Sequence, residues 1–139
     1  MFQLFARIFT LFGDNMHAAI LVNAMSALCS ALTIFFLYLT VVWLAKRLVR
    51  PAADGTYSTA QAVAIFGSGL VGALVYAFSD TFWFSAVEGE VYAMSSLFTA
   101  LVFWLMTVWY DRADEPHALR WIVLIAFLMG LRVGYYPTD

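Results

Sequence analysis

The sequence predicts an all-α integral membrane bundle of about four transmembrane helices, preceded by a short N-terminal interfacial helix. Composition gives the first reason: 64% of the 139 residues are hydrophobic, 12% are charged and the mean hydropathy is +0.86. Soluble domains carry about half apolar and about a quarter charged residues. The second reason is that several apolar runs approach the roughly 20 residues that cross a bilayer. The chain is therefore expected to contact the lipid bilayer along most of its length.

The opening stretch, residues 1–13, is apolar but too short to span a bilayer. A secretory signal has a basic start and an apolar middle, whereas this stretch starts apolar and carries Arg7 in its middle. We expect an interfacial helix or the end of a larger element. Gly13 would stop it, and Asp14 with Asn15 would cap the next helix.

Four apolar segments are predicted to span the membrane, over residues 18–45, 60–82, 90–110 and 119–134, and residues 1–139 form a single transmembrane domain. The first segment is longer than the hydrocarbon core, so it must tilt or project. It ends at a cluster of cations and at Pro51, which stops a helix. Asp54 and Gly55 predict the turn of the loop that follows. The fourth segment is barely long enough to span.

Two helix faces are predicted to pack against neighbouring helices. In the first span, polar residues recur at spacings of three and four and should point inward: Asn23, Ser26, Ser30 and Thr33. In the second span, small residues stand four apart and let backbones approach closely: Ser68 with Gly72, and Gly69 with Ala73. Asn23 could serve a site, but inter-helix bonding is the favoured interpretation.

The cations fall mainly on one side of the predicted bundle. Basic loops stay in the cytoplasm. Five cations flank two loops on one side of the bundle: Lys46, Arg47, Arg50, Arg112 and Arg120. On the other side lie two cations, Arg7 and Arg132. We therefore expect a multi-pass protein of the inner (cytoplasmic) membrane with the stretch 79–92 facing outward. The net charge of -2 gives no support for nucleic acid as a partner.

The stretch 79–92 interrupts two apolar runs and carries three carboxylates with no Lys or Arg. For Asp80, a turn or cap is at least as well supported as ligand binding. Ser85 and Glu88 match a capping box, which gives Glu88 a structural explanation. Glu90 lies where a helix enters the bilayer, and acids buried there are costly and commonly functional. Tyr92 shares a helix face with Glu88, whereas Glu88 and Glu90 point apart and cannot both line one site unless the helix begins after Glu88.

Other candidate residues have simpler explanations. His17 and His117 lie on opposite sides of the predicted bundle and cannot share a metal ion. Cys29 is the single cysteine and is expected to pack as a small apolar residue. Four tryptophans near the predicted span ends are interpreted as interfacial anchors: Trp43, Trp83, Trp109 and Trp121. The sequence contains no Walker loop, nucleotide-binding glycine fingerprint, zinc spacing or nucleophile elbow.

The run from Gly67 to Met94 contains the pair Phe82-Trp83 and the triplet Glu90-Val91-Tyr92. This pattern resembles the signature of a bacterial family of multi-span membrane proteins known as a domain of unknown function. That family is similar to the protein O-mannosyltransferases and to the wider class of GT-C fold glycosyltransferases, which use lipid-linked sugars. The segments 2–11 and 22–28 resemble the same family, so the likeness covers nearly the whole chain.

The resemblance implies a larger enzyme that transfers a sugar from a polyprenyl-phosphate donor to a protein acceptor on the outer side of the membrane. In that class the catalytic acid lies on the first outer loop, in an Asp-rich segment before a His-Pro-Pro-Gly-like run, and this sequence contains neither. After Gly134 the sequence also departs from the family pattern. We therefore expect an internal fragment, from a truncated or frameshifted reading frame, without a catalytic residue and inactive alone.

In the complete enzyme, four residues of the acidic stretch would line the outer cavity: Asp80, Glu88, Glu90 and Tyr92. A carboxylate there would bind a divalent metal together with the donor phosphate, or orient an acceptor hydroxyl. A hypothesis from another class treats the chain as a small stand-alone bundle that assembles through the Gly69 face into an oligomeric transport or scaffold subunit. A defined oligomer that is lost in Gly69→Leu or Gly72→Leu would support this alternative.

Overall fold

The structure, a computed structural model, describes residues 7–8, 18–87 and 91–133. These residues form five helices and no strand: α1 (Ala18–Leu48), α2 (Thr59–Ala77), α3 (Asp80–Val87), α4 (Val91–Asp111) and α5 (Ala118–Val133). The predicted all-α class is confirmed. Among the described residues three segments are long and apolar enough to cross a membrane, Ala19–Leu48, Thr59–Ala77 and Tyr92–Asp111, and the apolar part of α5, Ala118–Leu131, is shorter. The chain is therefore a multi-pass membrane protein.

The helix α2 ends at Ala77, whereas the second span was expected to reach residue 82. The Ser79 hydroxyl donates a hydrogen bond to the Tyr76 carbonyl at 2.8 Å, and the Ser79 backbone N–H donates to the same carbonyl. The Ser79 carbonyl then accepts from the Trp83 N–H and opens α3. Residues 80–82 thus belong to a separate short helix. The expected interfacial helix lies outside the described residues, except that Arg7 and Ile8 are helical and exposed.

The loop between α1 and α2 contains the turn that the sequence predicted. Gly55 adopts a φ of 78°, a conformation that favours glycine. The Thr56 hydroxyl and the Thr56 N–H both donate to the Asp54 carboxylate, at 2.7 and 3.0 Å, and hold the pKa of Asp54 below its ordinary value. A capping box of Ser58 and Gln61 then starts α2. These local bonds explain why the chain reverses within a few residues.

The helices α1 and α2 approach each other closely at Gly69. A Cβ atom added to Gly69 would lie 2.5 Å from Val42 Cγ2 and 3.0 Å from Tyr38 Cε2, so only glycine fits without a shift of these side chains. Ala73, one turn further on, is also buried. The Gly69 face is therefore covered by α1 of the same chain.

The helices α1 and α4 run parallel and touch at three depths. Near their starts, Met25 and Cys29 pack with Ala93 and Met94 in a buried cluster. In the middle, the Phe36 and Trp104 rings have centroids 5.2 Å apart. Near their ends, Trp43 bonds to Asp111 across 68 positions of sequence. Since the helices are parallel, the loops that follow them, 49–58 and 112–117, lie on the same side of the bundle.

An aromatic and ionic cluster joins the ends of α1 and α4. The Trp43 indole N–H donates to Asp111 Oδ2 at 2.6 Å, and the Arg47 guanidinium donates to Asp111 Oδ1. The guanidinium carbon lies 4.2 Å from the centre of the Trp43 ring and 4.3 Å from that of Tyr110. Stacking and ion pairing therefore hold Arg47 in one place at this end of the bundle.

We expect Asp111→Asn to lower the free energy of unfolding by about 1 kcal/mol, a modest value because both ionic side chains are roughly half-exposed. Thermal unfolding in detergent micelles, followed by tryptophan fluorescence, measures the change. The deficit should shrink at high salt, which screens the lost ion pair. Asp114→Asn in the exposed α4–α5 linker is the matched control and should leave unfolding unchanged. Equal effects of the two variants would show that the cluster does not join the helices.

The last helix, α5, packs mainly on α4. Ile125 is buried against Val102 and Leu105 of α4. The Arg112 guanidinium lies 5.4 Å from the centre of the Trp121 ring. Much of the remaining α5 surface is apolar and exposed, as expected of a helix in contact with lipid.

Candidate functional site, a hydroxyl cleft

A cleft of about 300 Å³ opens between the end of α2, the helix α3 and the first half of α4. We call it the hydroxyl cleft, because every lining residue except Phe82 carries a hydroxyl group: Tyr76, Ser79, Thr81, Phe82, Tyr92, Ser95, Ser96 and Thr99. It lies near the start of α4, at the opposite end of that helix from Asp111. The cleft and the loops 49–58 and 112–117 are thus at opposite ends of the bundle.

The wall formed by α2 and α3 depends on the turn at Ser79. Because Ser79 ends α2 and opens α3, the chain folds back and brings Phe82 against Tyr76. Their ring centroids are 4.7 Å apart at an interplanar angle of 44°, and Phe82 is buried. This contact holds α3 beside the end of α2 and fixes one side of the cleft.

The wall formed by α4 is a stripe of hydroxyl residues: Tyr92, Ser95, Ser96 and Thr99. They stand at helix spacings of three and four and so share one face. The Thr99 hydroxyl donates to the Ser95 carbonyl at 2.8 Å, so its oxygen keeps lone pairs for accepting. The hydroxyls of Tyr92, Ser95 and Ser96 are not used in any hydrogen bond to another described residue. The stripe was not predicted, although the 92, 95, 96, 99 spacing is visible in the sequence.

The cleft carries hydroxyls but no positive charge from its own helices. Residues 51–111, which include α2, α3 and α4, contain no Lys, Arg or His. A hydroxyl both donates and accepts hydrogen bonds, so this lining suits a ligand that itself carries hydroxyl groups. Within the described ranges, no three His, Cys, Asp or Glu residues lie close enough together to hold a metal ion.

The residues predicted for the outer cavity have different positions. Tyr92 lines the hydroxyl cleft with 64% of its surface exposed. Asp80 begins α3 and is exposed, between two residues that line the cleft, Ser79 and Thr81. Glu88 and Glu90 lie outside the described residues, in the segment of sequence that joins α3 to α4. The structure thus brings Tyr92 to the cleft, with Asp80 beside the lining.

The residues predicted for helix packing also differ in position. Gly69 is buried against α1, and a Cβ on Gly72 would lie in ordinary contact, 3.8 Å from Val41. Ser68 is exposed, and its hydroxyl donates to the Ile65 carbonyl.

The polar face expected on α1 is only partly covered. Ser26, Ser30 and Thr33 are buried, and the Thr33 hydroxyl donates to the Cys29 carbonyl. Asn23, in contrast, is exposed. By the spacing of the contacts between α1 and α4, Asn23 lies level with Val91, where α4 begins, so no described turn of α4 extends far enough to cover it.

Fold and cleft together define a multi-pass helical membrane protein with a hydroxyl-lined cleft at one end of its bundle. The family model described as the Protein O-mannosyl-transferase TMEM260 N-terminal domain matches residues 1–138. The chain belongs to this family. The predicted relation to the protein O-mannosyltransferases is thereby confirmed. No curated protein and no solved structure gives a significant match to the chain.

Proposed function

We propose that the chain is part of a membrane glycosyltransferase that takes a sugar from a polyprenyl-phosphate donor and transfers it to a protein acceptor. The family match over residues 1–138 carries this proposal, because the family is described as a domain of a protein O-mannosyl-transferase. On this proposal the GT-C fold belongs to the complete enzyme, of which the chain supplies an internal fragment. The fragment alone has no transferase activity, since the sequence lacks the Asp-rich segment of that class.

The proposed location is the bacterial inner membrane, with the stretch 79–92 and the hydroxyl cleft facing outward. This orientation is supported by the five cations that flank the two loops at the other end of the bundle, since loops flanked by cations stay in the cytoplasm. These cations are Lys46, Arg47, Arg50, Arg112 and Arg120. The bacterial origin is supported by the resemblance of residues 67–94 to a bacterial family. An outward cleft would meet a donor whose sugar has already crossed the membrane.

We assign proposed roles to the acidic stretch in the complete enzyme. Glu90 would orient the acceptor hydroxyl or hold a divalent metal with the donor phosphate, with Glu88 or Asp80 as a further oxygen ligand. Tyr92 would form the mouth of the cavity, which its place on the hydroxyl cleft supports. The proposed catalytic acid itself lies elsewhere in the complete enzyme.

Transfer of mannose from polyprenyl-phosphate mannose to a protein acceptor, measured with a full-length relative in membranes, tests this function. Glu90→Gln should lower kcat/KM by about 100-fold or more, the scale of a lost acid or base. Glu115→Gln, in the exposed α4–α5 linker at the opposite end, is the matched control and should retain activity. Unchanged turnover in Glu90→Gln would remove Glu90 from the site. No transfer by the unmodified relative would overturn the proposed function.

The alternative of a stand-alone oligomeric subunit depended on a free Gly69 face. That face is occupied by Tyr38 and Val42 of α1. A second copy could bind there only after α1 and α2 had separated. The Gly69 face is therefore not free for such an assembly, and we do not propose this alternative further.

A further inference from the structure

We infer that an apolar groove between α1 and α2 holds one acyl chain of an anionic phospholipid, with the phosphate of that lipid at Lys46 and Arg50. The groove has a volume of about 480 Å³. We call it the α1–α2 groove, and its lining includes Tyr38 of α1 and five residues of α2: Thr59, Val63, Phe66, Gly67 and Leu70. It follows the first half of α2, whereas the hydroxyl cleft lies at the end of that helix. This lipid binds whether or not the complete enzyme transfers a sugar.

The groove exists because Gly67 leaves a gap in the surface of α2. A Cβ atom at Gly67 would meet nothing within 4 Å, so the space above this residue is open. Tyr38 borders the gap on α1, and its ring lies against Gly69 on the neighbouring face of α2. Phe66 and Leu70 are 49% and 54% exposed. The packing of α1 on α2 therefore leaves the groove open to the lipid chains around the bundle.

The groove has the depth of one leaflet of the bilayer. Its lining on α2 begins at Thr59, the first residue of that helix, and ends at Leu70. At about 1.5 Å per residue this length is about 16 Å, close to half of the roughly 30 Å hydrocarbon core. The groove thus starts at one membrane surface and ends near the midplane, the depth that an acyl chain reaches from its own headgroup.

Two cations lie at the surface end of the groove. The Lys46 Nζ lies 5.8 Å from the centre of the Phe66 ring. Arg50 is held beside the start of α2, because the Gln61 side-chain amide donates to the Arg50 carbonyl at 3.1 Å. Both cationic side chains are exposed, and neither forms an ion pair with a residue that the structure describes. Basic pockets between membrane helices bind anionic headgroups in this way.

The local charge favours an anionic headgroup over a zwitterionic one. Residues 46–70 contain three cations and one acid, Asp54. Arg47 is paired with Asp111, so Lys46 and Arg50 are opposed in this segment by the Asp54 carboxylate alone. The start of α2 adds the positive end of its helix dipole. A phosphate here needs no second, positive group on the lipid, and a choline would be repelled.

Native mass spectrometry of the 139-residue chain, released from dodecyl maltoside micelles, tests this inference because it counts bound lipids by their mass. The chain would be titrated with phosphatidylglycerol and, separately, with phosphatidylcholine of the same acyl chains. We expect one phosphatidylglycerol to bind about 5-fold or more tightly than phosphatidylcholine, the scale of one contact between a lipid anion and Lys or Arg. Equal affinities for the two lipids would overturn the inference.

Two substitutions test the headgroup end of the groove. Lys46→Gln and Arg50→Gln should each weaken phosphatidylglycerol binding about 5-fold and leave phosphatidylcholine binding unchanged. Arg120→Gln is the matched control, because it removes the same charge at the same end of the bundle but from α5, which packs mainly on α4. An equal loss in all three variants would show that the total charge of the chain matters and not this site.

Gly67→Leu tests the acyl-chain end, because the new side chain fills the floor of the groove. It should weaken phosphatidylglycerol binding about 5-fold or more through lost packing contacts. Gly130→Leu is the matched control, since a Cβ at Gly130 also meets nothing within 4 Å but lies outside the groove. Full affinity in Gly67→Leu would place the acyl chain elsewhere and overturn the inference.

Two further results would assign the groove to another occupant and so overturn the inference. A dimer mass that disappears in Gly67→Leu would mean that a second copy of the chain fills the groove. Tighter binding of a polyprenyl phosphate than of phosphatidylglycerol would assign the groove to the sugar carrier.

Discussion

Gly69→Leu is expected to separate α1 from α2 and to lower the free energy of unfolding by about 3 kcal/mol, the upper range for overpacking a tight contact. Even the first side-chain carbon would lie 2.5 Å from Val42 Cγ2 and 3.0 Å from the Tyr38 ring, and a leucine adds three more. SDS-induced unfolding of the purified protein in mixed micelles, followed by circular dichroism, would measure the loss.

Gly67→Leu is the matched control, since a Cβ at Gly67 meets nothing within 4 Å and the same helix carries both glycines. Replacing a helical glycine favours the helix by up to about 1 kcal/mol, so this variant should be neutral or slightly more stable. If Gly69→Leu were as stable as Gly67→Leu, α1 and α2 would not pack at this contact. A Gly69→Leu protein that only lost an oligomer would restore the hypothesis of a stand-alone subunit.

Met25→Ala is expected to lower the free energy of unfolding by about 2 to 5 kcal/mol, the cost of a cavity at a fully buried methionine. Met25 is 2% exposed and packs with Ala93 and Met94 at the start of the α1–α4 contact. Leu28→Ala is the control on the same helix, because Leu28 is 50% exposed. Lipid replaces the contacts that an exposed side chain loses, so Leu28→Ala should lower the free energy of unfolding by less than about 1 kcal/mol.

The same SDS titration would compare these two variants. Similar losses in Met25→Ala and Leu28→Ala would mean that α1 does not bury the Met25 face against α4. A loss confined to Met25→Ala would support the parallel pairing of these helices.

The helices were predictable because their signal is chemical and local. Apolar length alone predicts a spanning helix, and the cations in the last turn of α1 with the proline after it predict its end. The end of α2 was not predictable in this way. Ser79, Asp80 and Thr81 interrupt the apolar run, but aromatic residues resume at Phe82, so composition did not decide on which side of this triplet the span ends. The end of the helix depends on where the Ser79 hydroxyl bonds. Such a bond has no signature in composition.

The cleft was only partly predictable. Tyr92 stood out because it follows the acidic stretch, whereas Ser95, Ser96 and Thr99 look like the small hydroxyl residues that commonly mediate packing in membrane helices. Their assembly into one lining depends on α3 folding back beside α4, which no local pattern shows. The spacing of the polar residues on α1 predicted that Asn23 points inward. The burial of Asn23, however, depends on how far α4 extends, and α4 begins level with Asn23, which is exposed.

The pairing of α1 with α4 has a consequence for the order in which the domain is made. A chain synthesised from its N-terminus can close the α1–α2 hairpin as soon as the loop 49–58 and α2 have entered the membrane. The other face of α1 has no partner until α4 is synthesised, because its contacts lie about 68 residues later in the sequence, as Asp111 does for Trp43. A nascent chain arrested before α4 would hold the Gly69 contact but would have no cleft. The hydroxyl cleft thus forms only after α4 has entered the membrane, later than the contact between α1 and α2.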